Sequence, residues 1–460
     1  MTPREEAAYP RPAYAWYVVA VLTLVYVFSF IDRQILSLLV GPIRRDLGIS
    51  DTQMSLLMGF TFAVFYTFFG IPLGRWADSG SRRTIIALGF VAWSAFTAAC
   101  GLARNYLQML LCRVGVGVGE AALSPAAYSM LTDYFPPERR ATALGVYGMG
   151  IYIGSGLAFL LGGVVVGLAG ARESYDLPLV GATRAWQVIF FAVGLPGVAL
   201  AALLYTVAEP LRRGAGTAAG RIRKIQLGDV AGYLWENRGA MLCHNFGFGF
   251  ISFTTYAAGN WNPTYFIRRF GWSAAEIGIA YGLIAIFAGS AGIACGGRAA
   301  DWLRARGYVD ANLRVALYAI LINLPIAVAT YLVPSDLAAI TLLVPATFLT
   351  SAPFGVAAAA IQHMMPNPMR AQASSIYIFI TNLVGLGLGP TAVAVATDRL
   401  FASDQAIGYS LLLVHVTGKA IAIILLWRGL AHYRAAVERL RVWSASTASG
   451  SAAATPGSAT

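Results

Sequence analysis

Apolar runs long enough to cross a bilayer recur along this whole chain, at roughly 15–40, 53–75, 84–103, 106–133, 141–168, 186–207, 240–267, 274–297, 314–333, 336–362, 371–397 and 406–431. In hydrocarbon every backbone polar group needs an internal partner, so only helices and closed barrels can span it. Barrel strands would be about ten residues long and alternate in character, unlike these runs. The expected fold class is therefore an all-α polytopic membrane protein with twelve transmembrane helices. Composition agrees: of 460 residues, 58% are hydrophobic and 12% charged, where a soluble domain draws about a quarter of its residues from Asp, Glu, Lys and Arg. The first run exceeds the apolar core of a cleaved signal, and Tyr14, Trp16 and Tyr17 open it like an interfacial belt.

A net charge of +12 could point to nucleic acid. Its distribution points to topology instead. With alternating spans, about 22 Lys and Arg fall on the side of the termini, about 8 on the opposite side, and Arg33, Arg113 and Lys419 within spans. The positive-inside rule then places both termini in the cytoplasm of a multi-pass protein of the cell's inner or plasma membrane. Cys100, Cys112, Cys243 and Cys295 lie within apolar runs without metal-ligand spacing. They read as packing residues, and no metal or cofactor is expected.

The polar stretch 208–238, with Arg212, Arg213, Arg221, Arg223 and Lys224, divides the spans six and six. The expected organisation is a cytoplasmic N-terminus (1–14), a first six-helix bundle (15–207), a cytoplasmic linker (208–238), a second six-helix bundle (239–432) and a disordered cytoplasmic tail (433–460). The halves repeat. "GRWADSGSRR", with Gly74, Asp78, Arg82 and Arg83, follows the second span, and "GRAADWLRAR", with Asp301, follows the eighth. "FPPERRATALGVY" and "MPNPMRAQASSIY" align from Pro136 with Pro366, through Arg140 with Arg370, to Tyr147 with Tyr377.

With those motifs the chain resembles the major facilitator superfamily over essentially its whole length. "FIDRQILSLLVGPIRRDLGISDTQ", "WSAFTAACGLARNY", "RVGVGVGEAALSPAAYSMLTDYFP" and "WNPTYFIRRFGWS" are similar to the Spinster-like branch. That resemblance implies a carrier of lysophospholipids or sphingoid phosphates, often coupled to protons. Organic-anion symporters of the same superfamily share an Asp-Arg pair in helix one and an Arg/Glu pair in helix four, so that class stays open.

Asp32 and Arg113 lie at nearly the same depth, about eight residues or roughly 12 Å from the outer end of their spans, and are expected to pair. Arg113, Gly117, Glu120 and Ser124 share one stripe of span four, and Ser124-Pro125 should kink the helix just past the acid. Intramembrane ionisable residues mark function by default. Asp32, Arg113 and Glu120 form the candidate proton-coupling cluster, with Glu120 as carrier. Arg33, about 100° around the helix from Asp32, either holds an anionic substrate group or pairs with Glu120.

The second half offers Tyr256, Asn260, Tyr377 and Asn382 and no acid on its facing helices. With Arg33 and Ser124 these complete the candidate substrate residues. Charge on one wall and aromatic surface on the other suit an amphiphile. Gly259, Asn260 and Pro263 mark either a break in helix seven or a tolerated proline, and His244 and His363 read as interfacial. Lys419, about fourteen residues into span twelve, reads as snorkelling or meeting a lipid phosphate. Gly74, Asp78, Arg82, Arg83, Asp301, Arg140 and Arg370 form the candidate latches, in which Asp78 and Asp301 meet helix N-termini of the other half when the cytoplasmic ends close. With only four histidines and no nucleophile–base set, the chain is not expected to be an enzyme. It reads as a monomeric secondary transporter of lysophospholipid- or sphingoid-phosphate-like amphiphiles, working by alternating access, with protons and membrane lipids as partners. The alternative is a proton-coupled sugar-acid symporter.

Overall fold

A computed structural model describes residues 9–169, 172, 174–178, 180–212, 227–366 and 369–452. Arg213, Arg221, Arg223 and Lys224 of the linker lie outside them, as do Asn367 and Pro368. Among the described residues, eleven helices are long and apolar enough to cross a membrane. Spans one to six are Pro12–Leu38, Asp51–Ser79, Arg82–Cys100, Tyr106–Tyr134, Thr142–Ala169 and Ala185–Thr206. Spans eight to twelve are Ala274–Ala305, Ala311–Leu332, Asp336–Met364, Gln372–Leu400 and Asp404–Val442. Arg238–Phe270 fills the seventh place, its apolar character diluted by glycines, threonines and asparagines. Large apolar side chains such as Leu107, Leu195, Phe287 and Trp427 face outward, which a bilayer accommodates and water does not.

Local chemistry sets the helix ends. Ser81 caps span three by accepting from the Thr84 N–H, and Asn105 caps span four by accepting from the Gln108 N–H. Ser50 and Gln53 form a capping box at span two, Ser273 and Glu276 another at span eight. Span seven stops at Gly271, whose φ of 74° suits a residue without Cβ. Span four is interrupted directly after Glu120, where Tyr106–Glu120 gives way to Leu123–Tyr134. That is the kink expected from Pro125, displaced by the four residues over which a proline ring acts. Span seven has no break. Pro263 sits inside a continuous helix, and Gly259, the residue its ring must pass, is in open space.

Each half buries the same pairings: span three packs on six as nine does on twelve, and span two on four as eight does on ten. The repeat extends to single bonds. Arg140 Nε donates to Phe135 O at 2.9 Å, and Arg370 Nε donates to Met365 O at 3.1 Å. Between the halves, spans five and eight meet through glycines. A Cβ on Gly282 would lie 2.6 Å from Gly156 O, and one on Gly278 would lie 2.8 Å from Gly163 Cα. Spans two and eleven meet where Gly59 abuts the Leu386 carbonyl.

Two segments differ from expectation. The stretch after 432 continues the last helix, Ile407–Ala452, because Tyr433 is buried with its hydroxyl on Ala360 O and Arg439 Nε donates to Asn237 Oδ1. The linker carries a helix, Leu227–Glu236, whose Tyr233 hydroxyl donates to Met364 O. A short hairpin, Ser174–Leu177 with Gly181–Arg184, precedes span six.

Candidate functional site

Glu120 stands at the end of the first segment of span four, fully buried. Arg33 reaches it from span one: Nη2 lies 2.5 Å and Nε 2.6 Å from Glu120 Oε2, and the Ser29 hydroxyl donates to the same oxygen at 2.9 Å. Glu120 Oε1 is buried with no partner. The guanidinium of Arg33 lies 4.4 Å from the Phe62 ring centre and 5.2 Å from that of Tyr66, a desolvated cation over aromatic faces. Of the two partners open to Arg33, the structure supplies Glu120.

The expected Asp32–Arg113 ion pair is not formed. Arg113 Nη1 donates at 3.3 Å to the backbone carbonyl of Asp32, and Nε donates at 3.2 Å to Leu57 O, which lies in a π-helical turn, Leu56–Phe60. Both Asp32 carboxylate oxygens are buried without a hydrogen-bond partner, beside Thr97 and Trp93 of span three. Equal depth brought the two helices together at the backbone, while the carboxylate turned to a third helix. Asp32 stays within electrostatic reach of Glu120 and Arg113.

The remaining candidate substrate residues divide. Tyr256 is half-buried and lies in electrostatic reach of Arg33 from the other bundle. Tyr377 is half-buried against His244 and Phe248. Asn382 is half-buried at the start of a π-helical segment, Thr381–Leu388. Ser124 accepts from the Tyr66 hydroxyl at 3.2 Å. Asn260 is turned back on its own helix, donating to Tyr256 O at 2.9 Å. His244 is buried rather than interfacial, bonded to Asn245 Oδ1 and Ala357 O.

The candidate latches also divide. Asp78 is exposed, and Asp301, 78% exposed, pairs with Arg304 on its own helix at 3.5 Å. Arg82 is a staple within the first bundle: buried, it holds Asp133 at 2.5 Å, Glu209 at 2.8 Å and the Ser129 hydroxyl at 2.9 Å. Arg83 donates its backbone N–H to Glu209 Oε2 at 2.9 Å and Nη1 to Val207 O. Partial burial acts to raise the Glu209 carboxyl, but the Arg83 N–H, Arg82 guanidinium and Ser81 hydroxyl together hold it below its ordinary value. Arg140 and Arg370 brace their own loops as described, and a Cβ on Gly74 would lie 3.8 Å from Pro125.

Ion pairs joining the halves lie at the end of the molecule away from the termini. Arg268 clasps Asp51 with two bonds of 2.6 and 2.8 Å, and Arg44 meets Asp51 at 3.1 Å and Asp404 at 2.7 Å. Asp398 accepts from the Thr52 N–H and hydroxyl, both at 2.6 Å. Sequence reasoning missed these pairings, which join loop ends hundreds of positions apart, although Arg44, Asp51 and Arg268 stand in motifs quoted above.

A two-bundle repeat, a buried cluster at its centre and one end closed by ion pairs describe a molecule built to rock. The sequence profile of the Major Facilitator Superfamily matches residues 22–390. An MFS-type efflux pump of Mycolicibacterium smegmatis is 30% identical over 92% of this chain and 94% of its own length. A probable L-galactonate transporter of Escherichia coli is 26% identical over 60% of this chain and 59% of its own. The crystal structure of a bacterial homologue of the human lysosomal transporter Spinster, inward-facing and unoccupied, superposes with a TM-score of 0.77 at 28% identity, covering 93% of this chain and 98% of that one. The chain belongs to the Major Facilitator Superfamily, as a multi-pass secondary transporter rather than an enzyme.

Proposed function

We propose that this transporter carries single-chain amphiphilic lipids, lysophospholipid- or sphingoid-phosphate-like, by alternating access coupled to protons. One observation carries the reading: the Arg33–Glu120 pair of the first bundle lies within electrostatic reach of Tyr256 on the second, and Tyr256 in turn of Tyr377, which packs on His244 and Phe248. A charged head and an apolar tail match those two walls. A sugar acid needs polar partners on both. Yet Asn260 donates to its own helix and Ser124 is engaged by Tyr66. The motifs' resemblance to the Spinster-like branch supports the lipid, and likeness to the L-galactonate transporter keeps the sugar acid as the competitor.

Proton coupling follows from the geometry of Glu120. Three donors crowd Oε2 while Oε1 is bare. A proton arriving at Oε1 neutralises the carboxylate without displacing a neighbour, and loosens its hold on Arg33. Arg33 is then able to take an anionic headgroup. Asp32 and Arg113 shape the field around that exchange. With both termini in the cytoplasm, the closed end is external and the structure is inward-facing. Asp78 and Asp301 then serve the opposite state, meeting helix N-termini when the cytoplasmic ends come together.

The test uses purified protein and proteoliposomes. A lysophospholipid, and not a sugar acid, should raise the melting temperature, and a pH gradient should drive its transport. Glu120→Gln should abolish the response to the gradient while leaving the fold intact. Stabilisation by the sugar acid alone would replace the lipid with the alternative.

A further inference from the structure

Lys419 of span twelve does not snorkel. Its side chain turns into the second bundle, the residue is 1% exposed, and Nζ bonds Asn323 Oδ1. Asn323 is held in that orientation because its Nδ2 donates to Ala346 O at 2.7 Å. His415 lies one turn earlier on the same face, also buried. Both line a small cavity of about 60 Å³ that runs from inside the second bundle to Tyr152 of span five, at the seam between the halves. No carboxylate is among its lining residues.

The hydrogen bonds fix what the cavity offers. The Tyr331 hydroxyl donates to Asn262 Oδ1 at 3.0 Å, so its oxygen accepts from His415 Nε2 at 3.3 Å. A neutral His415 therefore carries its proton on Nε2. Nδ1 is left as a bare lone pair, buried and without a partner. Asn262 Nδ2 donates to the Tyr281 hydroxyl at 3.3 Å, which leaves the hydroxyl hydrogen of Tyr281 to give. Thr254 and Thr330 donate to their own helix carbonyls and present lone pairs. The groups it offers include an ammonium, a phenol hydrogen and an imidazole lone pair, with the hydroxyls of Tyr152, Thr347 and Thr350 also on its lining.

Buried and without a carboxylate, Lys419 keeps its charge only if an anion joins it, for a buried charge is paired or given up. Chloride, sulfate or an ionised carboxylate would answer Lys419 and leave Nδ1 empty. An oxyanion that keeps one proton answers both: its oxygens accept from Lys419 and Tyr281, and its O–H donates to His415 Nδ1. Phosphate and its monoesters, with a second ionisation near pH 6, are the common groups of this kind. We propose that the Lys419–His415 cavity binds a phosphate group retaining one proton, as inorganic phosphate or as the monoester headgroup of a single-chain lipid. Only the lipid form rests on the transport reading above.

The experiment follows thermal unfolding of the purified full-length protein with inorganic phosphate, with sulfate at equal ionic strength, and with a single-chain lipid phosphomonoester against its dephosphorylated form. Phosphate should stabilise at concentrations at least fivefold below those sulfate requires. Lys419→Met should weaken the phosphate response at least tenfold, and Tyr281→Phe several-fold. Competition between the lipid monoester and inorganic phosphate would assign the site to the headgroup. Phosphate binding that the lipid leaves untouched would assign it to the free ion. Equal responses to phosphate and sulfate, no response to either phosphate source, or an unaltered response in Lys419→Met would overturn the site. Lipid transport failing while phosphate still binds would remove the transport reading and leave this one standing.

Discussion

Arg33 and Glu120, on spans one and four, are joined at 2.5 Å through a single carboxylate oxygen, in a place where the sequence could equally have set Asp32 against Arg113. Glu120 is wholly buried and Arg33 keeps 14% of its side chain exposed. Breaking such a pair from one side strands a charge, at a cost of about 3–5 kcal/mol for fully buried pairs. Arg33→Gln and Glu120→Gln should each destabilise by about 3 kcal/mol, the lower edge of that range, because Arg33 retains some water. The double variant should recover much of the loss. Additive melting-temperature changes in this cycle would contradict the pairing.

Asp32 should behave otherwise. Its carboxylate makes no hydrogen bond of good geometry and has only Thr97 and Trp93 beside it, donors that an amide oxygen can equally meet, so Asp32→Asn removes little that holds the fold. Its effect on stability should stay within about 1 kcal/mol, measured by thermal unfolding beside Glu120→Gln. A loss as large as that of Glu120→Gln would restore the Asp32–Arg113 salt bridge.

At the end away from the termini, Asp51 accepts two bonds from Arg268 and is fully buried. Arg268→Gln should weaken closure there by about 3 kcal/mol, shifting populations roughly a hundredfold toward the opposite state. Spin labels replacing Arg45 and Ser403, both exposed at that end, would report it as a longer distance. An unchanged distance would show that the seam of spans two and eleven closes this face without the ion pairs.

Glu209 gives a pH dependence of known sign. Its carboxyl is held below the ordinary range, so its contribution is fully present above the unfolded value and is lost as pH falls through the folded one. The melting temperature should drop below about pH 4.5, the upper part of the carboxylate range. Glu209→Gln should be less stable at neutral pH and converge with the parent in acid. Parallel curves would mean that the Arg82–Arg83 staple does not depend on this carboxylate.

What the sequence made legible was whatever repeats or stands out chemically. The helical spans are there, and the Arg140–Arg370 equivalence survives as a matching hydrogen bond in each half. The charged cluster was visible because four ionisable residues are rare in hydrocarbon. Arg33–Glu120 was one of the two pairings it offered; the place of Asp32 was not legible, because depth follows from residue counts whereas the turn of a carboxylate toward Thr97 follows from packing with a third helix. The Asp51–Arg268 clasp joins loop ends 217 positions apart, and no periodicity reaches that far. The chain His415–Tyr331–Asn262–Tyr281 draws its residues from four helices, so no local pattern announces it. Gly259 and Pro263 left a break and a tolerated proline equally open, and the helix absorbs the proline because the preceding turn has room.

The glycine seam of spans five and eight bears on kinetics as well as shape. Where Gly156 meets Gly282 and Gly163 meets Gly278, main chain lies on main chain. Interdigitated leucines would have to leave one set of holes and enter another for the halves to turn. At those two points bare backbones slide, like a journal in its bearing, while Phe159 on Tyr281 and Tyr152 over Gly289 must still repack. The rest of the resistance to turning lies in the ionic clasps at the rim. Salt, which screens the exposed Arg44–Asp404 pair far more than the buried Arg268–Asp51 clasp, should then speed the turning of the halves only modestly.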